Sequence, residues 1–309
     1  MSFKLTILGS SGALPAYERF PTSQYLVIQN RHFLIDCGEG AQMQLIRYQI
    51  PVHKIDHILI SHLHGDHYLG LMGLLFSMHL QRRVSDLHVH SPRGLDEIIL
   101  LQLKYSKSVL NYEIHFHPFN PEEVVVIHED DALTIHTIPL IHKLPCAGFL
   151  FQEKKKPVKL NKEKLIPGML LQHLAQLKTG NDVYDDTGKL LYLNNNFTLP
   201  PALSYSYAFC SDTAWNEKMI EQIKGVNLLY HEATFMEEEI DKAHETKHST
   251  AAEAASMAQR CNASILLVGH FSARYRELEP LLAEAQAIFP NTQLAIEGTS
   301  FELPYEPNP

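Results

Sequence analysis

Short apolar runs recur along the chain, and many end in a polar residue at the start of a loop. Residues 3–8 (FKLTIL) close on GSSGALP, and QYLVI (24–28) is split from HFLID (32–36) by Gln29, Asn30 and Arg31, a hairpin signal. The second run ends in Asp36-Cys37-Gly38-Glu39-Gly40. AQMQLIRYQI then has helical periodicity until Pro51 stops it. HILI (57–60) predicts a strand and LGLMGLLFSMHL (69–80) a helix buried against a sheet, because it is apolar on most sides. Residues 96–110 also have helical periodicity. EVVVI (123–127) and LTIHTI (133–138) flank the acidic turn Glu129-Asp130-Asp131 and predict a strand pair. YAFC, NLLYHEATF and SILLVG are further strands, and a helix over 249–260 is expected to be capped by Ser249 or Thr250, with Glu253 in capping-box position. Strands interleaved with helices predict an α/β protein.

Residues 152–202 break this rhythm. They open with QEKKKPVKLNKEKLIPG and continue through a helical piece (MLLQHLAQLK), a turn at Asp185-Asp186-Thr187-Gly188, and NNNFTLPPALS. The apolar runs on either side belong to the sheets. The stretch is therefore expected to be an insertion that leaves and returns within a single domain spanning 1–309.

The densest chemistry lies in HILISHLHGDH (57–67). His62, His64, Asp66 and His67 follow a strand-like run within six residues. On a helix these spacings would spread around the circumference; a tight loop after a strand can aim them at one point. Imidazole and carboxylate without thiolate suit zinc, with manganese or iron as lesser options. Three later apolar runs also end in a metal-type residue: His142, Asp212 and His270. Strand ends at one edge of an α/β protein converge, so these seven side chains can meet. Seven ligands exceed what one tetrahedral zinc takes. The His-x-His-x-Asp-His string resembles the signature of the metallo-β-lactamase superfamily, in which the two halves of the string serve two adjacent metals. That resemblance implies one set of His62, His64 and His142, another of Asp66, His67 and His270, and Asp212 shared between them. His88 and His90 (LHVH) and His115 and His117 (EIHFH) lack a following loop that would bring in another ligand, and are expected to be structural.

Composition narrows the class. With 309 residues, 45% hydrophobic and 20% charged, the chain is ordinary for a soluble globular protein, and no run approaches the ~18 apolar residues of a bilayer span. Its start has too short an apolar run for a signal peptide. Four dispersed cysteines, with no Cys-x-x-Cys, predict reduced thiols in a cytoplasmic protein. A net charge of −9 argues against a general nucleic-acid binder. Residues 153–164 depart from that balance with six Lys against two Glu. Lys154, Lys155, Lys156 and Lys159 on an arm can neutralise phosphates without making the whole protein basic.

Within the superfamily the chain resembles the short-form ribonuclease Z family, the tRNA 3′-processing endonucleases. The matching stretches are LGSSGALP, DCGEGAQ, SHLHGDHYLG, the strand ending at His142, SDT (211–213), HEATF, KHST and GHFSARY, in order over nearly the whole chain. The resemblance implies a four-layer αββα sandwich with an inserted projecting arm, two Zn2+ ions per subunit (Mn2+ as an alternative), and cleavage after the acceptor stem of precursor tRNA that leaves a 3′-hydroxyl. It also implies a homodimer in which one subunit's arm serves the other's site. Asp66 would take the proton of the nucleophile, and His248, oriented by Glu232, would protonate the leaving oxygen. Arg274, four residues past His270, is placed for a phosphate contact. The arm departs from the family pattern: Leu177-Lys178-Thr179-Gly180 is present, but MLLQHLAQ replaces a glycine- and proline-rich tip. A small-molecule ester, sulfate-ester or thioester hydrolase on the same scaffold is the alternative; a non-catalytic RNA-binding relative would be expected to have lost ligands.

Overall fold

The computed structural model describes residues 3–304. Contacts divide the chain into a larger unit, which takes everything before Glu129, Ile135–Phe151 and everything from Ser206 on, and a smaller one of Glu129–Thr134 with Gln152–Tyr205.

Two seven-stranded sheets form the larger framework. In the first, the order is Ser300–Leu303, Phe3–Gly9, Ser23–Ile28, Arg31–Cys37, His57–Leu59, Leu87–Pro92 and Ile114–Phe119. Its first three pairings are antiparallel and the rest parallel. In the second, the order is Thr292–Leu294, Ile265–Gly269, Leu228–Glu232, Ser206–Cys210, Cys146–Glu153, Leu133–Leu140 and Val126–Glu129.

Both faces of each sheet are covered, which is why the strands read as near-continuous apolar runs. Arg31–Cys37 shows how this works. Phe33 meets Phe151 of the second sheet edge-on with ring centroids 5.5 Å apart. Leu34 points the other way, into a layer that includes Leu45, Leu74, Leu75 and Ile99 from the helices Ala41–Arg47, Leu71–Leu80 and Leu95–Tyr105. On the far side Ala254, Ala258 and Leu281, from the helices Ala251–Arg260 and Glu279–Ile288, pack with Leu229, Leu266 and Val268. Helix, sheet, sheet and helix thus stack as the expected four layers. The capping box is formed by Thr250: its hydroxyl accepts from Glu253 N–H at 3.1 Å and Glu253 accepts from Thr250 N–H at 2.9 Å.

Local boundaries differ from expectation for clear reasons. The strand at LHVH runs on to Pro92, since proline is tolerated at a strand end. The helix expected over 96–110 stops at Tyr105, before Lys107 turns to φ 51°. The strand expected at 123–127 is Val126–Glu129; Val125 N–H is taken instead by the Thr137 hydroxyl at 2.8 Å.

In the smaller unit, Lys159–Leu160 pairs with Thr198–Leu199 and Val183–Tyr184 with Leu190–Tyr192, beside a helix over Leu171–Lys178. Leu177 and Val183 are fully buried there, and the Asn194 amide donates to the Leu177 carbonyl at 2.6 Å. At its base Glu153 N–H donates to the Tyr205 carbonyl at 3.0 Å.

Candidate metal centre

The strand His57–Leu59 gives way at Ile60 to an irregular stretch, then to a single helical turn, Gly65–Tyr68. This break throws His62 and His64 to one side and Asp66 and His67 to the other. Glycines make the packing possible. A Cβ on Gly38 would lie 2.4 Å from the Asp66 carbonyl oxygen, and one on Gly70 would lie 2.1 Å from the Gly38 oxygen. His142, Asp212 and His270 arrive from strand ends of the second sheet, His270 at φ 60° and against Gly12.

All seven predicted ligands come together, in two groups. In one, His64 Nδ1 lies 2.9 Å from His62 Nε2 and 3.2 Å from His142 Nε2. Asp212 Oδ2 stands 3.7 and 3.6 Å from those two Nε2 atoms. In the other, Asp212 Oδ1 stands 3.3 Å from His67 Nε2 and 3.1 Å from His270 Nε2, while Asp66 Oδ2 is 3.4 and 3.6 Å from the same pair. Asp212 therefore gives one oxygen to each group. Two ligand atoms on a tetrahedral ion with bonds of about 2.0–2.1 Å lie roughly 3.4 Å apart, so both groups have the spacing of a ligand shell. His67 Nε2 and His270 Nε2 are buried with no hydrogen-bond partner, the state expected of nitrogens reserved for a cation.

The opposite ring nitrogens are tied down, which sets the tautomers. His67 Nδ1 donates to Asp36 Oδ2 at 2.7 Å, and Asp36 also accepts from Ser61 N–H and Oγ at 2.8 and 2.9 Å. His142 Nδ1 donates to the Lys247 carbonyl at 3.0 Å. His270 Nδ1 donates to Thr234 Oγ1 at 2.8 Å, and Thr234 donates to Glu232 Oε2 at 2.5 Å. Such outer partners orient imidazole ligands and raise their basicity. Asp36 and Thr234 were not predicted. Asp36 sits at a strand end in DCGEGAQ, the same signal that marks the ligands, and Thr234 lies within HEATF.

The electrostatics suit a cation. Burial pushes His62 and His64 down, so they are neutral and ready to ligate. Burial works against Asp66 and Asp212 as carboxylates, yet the neighbouring imidazoles hold both below the usual range. Burial also opposes charge on His67, but Asp212 and Asp36 push it up: positive charge is favoured at this spot.

His248 and Glu232 stand beside this group. His248 Nδ1 donates to Glu232 Oε1 at 2.8 Å, and its ring stacks on His270 at 5.3 Å. Burial lowers the His248 pKa, but Glu232 more than reverses this, and it is pushed up to about 9. A cleft of about 500 Å³ opens here, lined among others by Leu14, His64, Asp66, Lys143, Phe235 and His248. A second hollow of about 530 Å³, lined by Leu63, Arg93, Pro121, Glu122 and Leu144 among others, includes none of the seven predicted ligands.

The predicted substrate contacts are more dispersed. Arg274 pairs with Glu239 at 2.7 Å, lies over Phe235 at 5.0 Å and does not line the cleft. Lys154 pairs with Glu129 and Lys156 with Glu153, each at 2.6 Å. Lys155 and Lys159 are exposed.

Fold and site together define a metallo-β-lactamase-fold protein with a clustered His/Asp centre. A family model described as anti-Pycsar protein Apyc1 matches residues 3–158. Ribonuclease Z of Cytophaga hutchinsonii is 50% identical over 301 residues, covering 97% of this chain and 96% of that one. Ribonuclease Z of Bacteroides fragilis (strain YCH46) is 43% identical over 305 residues, covering 97% and 99%. Human tRNase Z, short form, superposes with a TM-score of 0.70 at 25% identity, covering 96% of this chain and 98% of that one. The chain belongs to the ribonuclease Z family.

Proposed function

We propose that this protein is a tRNA 3′-processing endoribonuclease that hydrolyses one phosphodiester after the acceptor stem and leaves a 3′-hydroxyl on the tRNA. The observation that carries the reading is the split Asp212 carboxylate, one oxygen for each of two ligand groups. Two zinc ions fit: one with His62, His64 and His142, one with Asp66, His67 and His270, and Asp212 between them; manganese is the substitute. Such ions supply Lewis acidity at the phosphoryl group and make water nucleophilic near neutral pH. Asp66, held ionised beside His67 and His270, accepts the proton of the attacking water. His248 gives its Nε2 proton to the leaving oxygen, and Glu232 fixes its ring. Thr234 links Glu232 to His270, so acid and ligand share one orienting carboxylate.

Residues 152–202 are the tRNA-binding arm, with Lys155 and Lys159 among its exposed charges, and the working assembly is a homodimer in which each arm serves the partner's site. No helix among the described residues is long and apolar enough to cross a membrane. All four cysteines are free and buried, in keeping with a reducing cytoplasm.

Single-turnover cleavage of a 3′-extended precursor tRNA, with zinc or manganese, is the test. Wild type should cut after the acceptor stem. A deletion of 153–195 should lose that cleavage and still hydrolyse a small phosphodiester. A metal-loaded protein that leaves the precursor uncut with either metal would overturn the reading and favour a small-molecule hydrolase.

A further inference from the structure

Six histidines outside the catalytic centre lie together. Three parallel strands of the first sheet align His57 with His88 and His115, and Leu59 with His90 and His117. Side chains alternate along a strand, so these six positions share one face, and five of them are histidine. The rings form a continuous array, with centroids 5.0 Å apart for His57–His88 and His88–His115 and 4.7 Å for His90–His117. From the edge strand of the second sheet, His128 comes down on His57 with centroids 4.4 Å apart.

An apolar face would pack here without any polar atoms to satisfy. The intervening positions of the same strands, Ile58, Val89 and Phe116, are of that kind. Imidazoles bring ring nitrogens that must find partners, and two pairs of rings have found each other, while His115 Nε2 meets Asp86 at 3.0 Å. His57 Nδ1 and His90 Nε2 are 3.2 Å apart, and His88 Nδ1 and His117 Nε2 are 2.9 Å apart. His90 is only 3% exposed, and its Nδ1 is buried with no hydrogen-bond partner.

We propose that His57, His90 and His128 form a further binding site for a divalent transition-metal ion of the zinc type, sharing no residue with the catalytic centre. One ligand nitrogen from each of the three lies within 4.8 Å of the others. The 3.2 Å between His57 Nδ1 and His90 Nε2 is close to the roughly 3.4 Å edge of a tetrahedral imidazole shell. Neutral imidazole is the ligand form that zinc, copper and nickel prefer. Burial and the neighbouring rings push His90 down to about 2, so protons do not compete for it at working pH. Three imidazoles leave one position of a tetrahedron for solvent. The ion ties two parallel strands of one sheet to the edge strand of the other, so its role is structural or storage-like rather than catalytic.

The test is a zinc count. Chelator-stripped full-length protein is dialysed against zinc, and bound metal per chain is measured by atomic emission for wild type, His128→Gln and His90→Phe. Cobalt in place of zinc reports the imidazole environment through its visible bands. Each variant should hold one equivalent fewer than wild type and lose part of the cobalt spectrum, while precursor cleavage stays within about twofold. His128 is partly exposed, so His128→Gln keeps the test valid if the buried substitution impairs folding. Equal zinc counts in wild type and His128→Gln would overturn the proposal and leave the array as packing.

Discussion

At the scale of single residues, Glu232 has the most to coordinate. It is fully buried and accepts from His248, Thr213 N–H and Thr234. If His248 is the proton donor, His248→Ala should lower kcat by roughly 10²–10⁴-fold with metal content unchanged, measured under single turnover. Glu232→Gln tests the coupling through pH. The carboxylate raises the His248 pKa, so removing its charge lowers it. The alkaline limb of the cleavage profile, where the acid loses its proton, should therefore move to lower pH. A limb that stays in place would mean that another group sets it. Asp36→Asn should weaken metal binding about 10–100-fold in a chelator competition, because an amide has one acceptor oxygen where the carboxylate uses two, for Ser61 and for His67, and carries no charge to hold the ring. Asp36 shows where residue-level reading stops: it precedes His67 by 31 positions, and only the folded strand end brings its Oδ2 within 2.7 Å of that ring.

At the scale of elements, the metal loop was legible because its ligands are close in sequence and follow an apolar run. His142, Asp212 and His270 were legible from position alone, each at the end of a strand. The histidine array was not. LHVH and EIHFH show two histidine pairs, and that these share one face depends on the register of three parallel strands, with His128 coming from the other sheet. The arm was visible as a lysine-rich interruption, but its ion pairs were not: Glu129 and Glu153 neutralise two of its lysines from strand ends. Close approach is the other element-level feature. Gly70→Ala would drive a methyl to 2.1 Å from the Gly38 oxygen, a contact with backbone that cannot swing away. It should destabilise the protein by about 1–3 kcal/mol in denaturant unfolding and weaken metal binding as the loop shifts. Gly73→Ala, in the next turn of that helix, meets only the flexible Gln42 amide at 3.0 Å and should be near neutral.

At the scale of the whole molecule, the ligand groups draw on both sheets. His62, His64, Asp66 and His67 follow a strand of the first, and His142, Asp212 and His270 follow strands of the second. Metal binding is therefore coupled to the pairing of the two halves. Saturating zinc, at about a thousand times its Kd, should add on the order of 4 kcal/mol to unfolding free energy. Scanning calorimetry with and without chelator should show the matching fall in Tm. The RNA side has its own large-scale signature. If Lys155 and Lys159 each neutralise one tRNA phosphate, replacing either by alanine should reduce the log–log salt dependence of binding by about one. Cleavage of a small diester should not respond.

The hydrogen bond at the base of the smaller unit, from Glu153 N–H to the Tyr205 carbonyl, holds the two ends of the insertion side by side. It means that some fifty residues depart and return through neighbouring points of the backbone. Loop-closure entropy grows only with the logarithm of loop length, so the framework is nearly indifferent to what is spliced between those points. Such a junction is a graft site. Cassettes of other lengths and chemistries can be exchanged there while the seven-ligand centre stays as it is, which gives lineages and protein engineers the same route to new substrates.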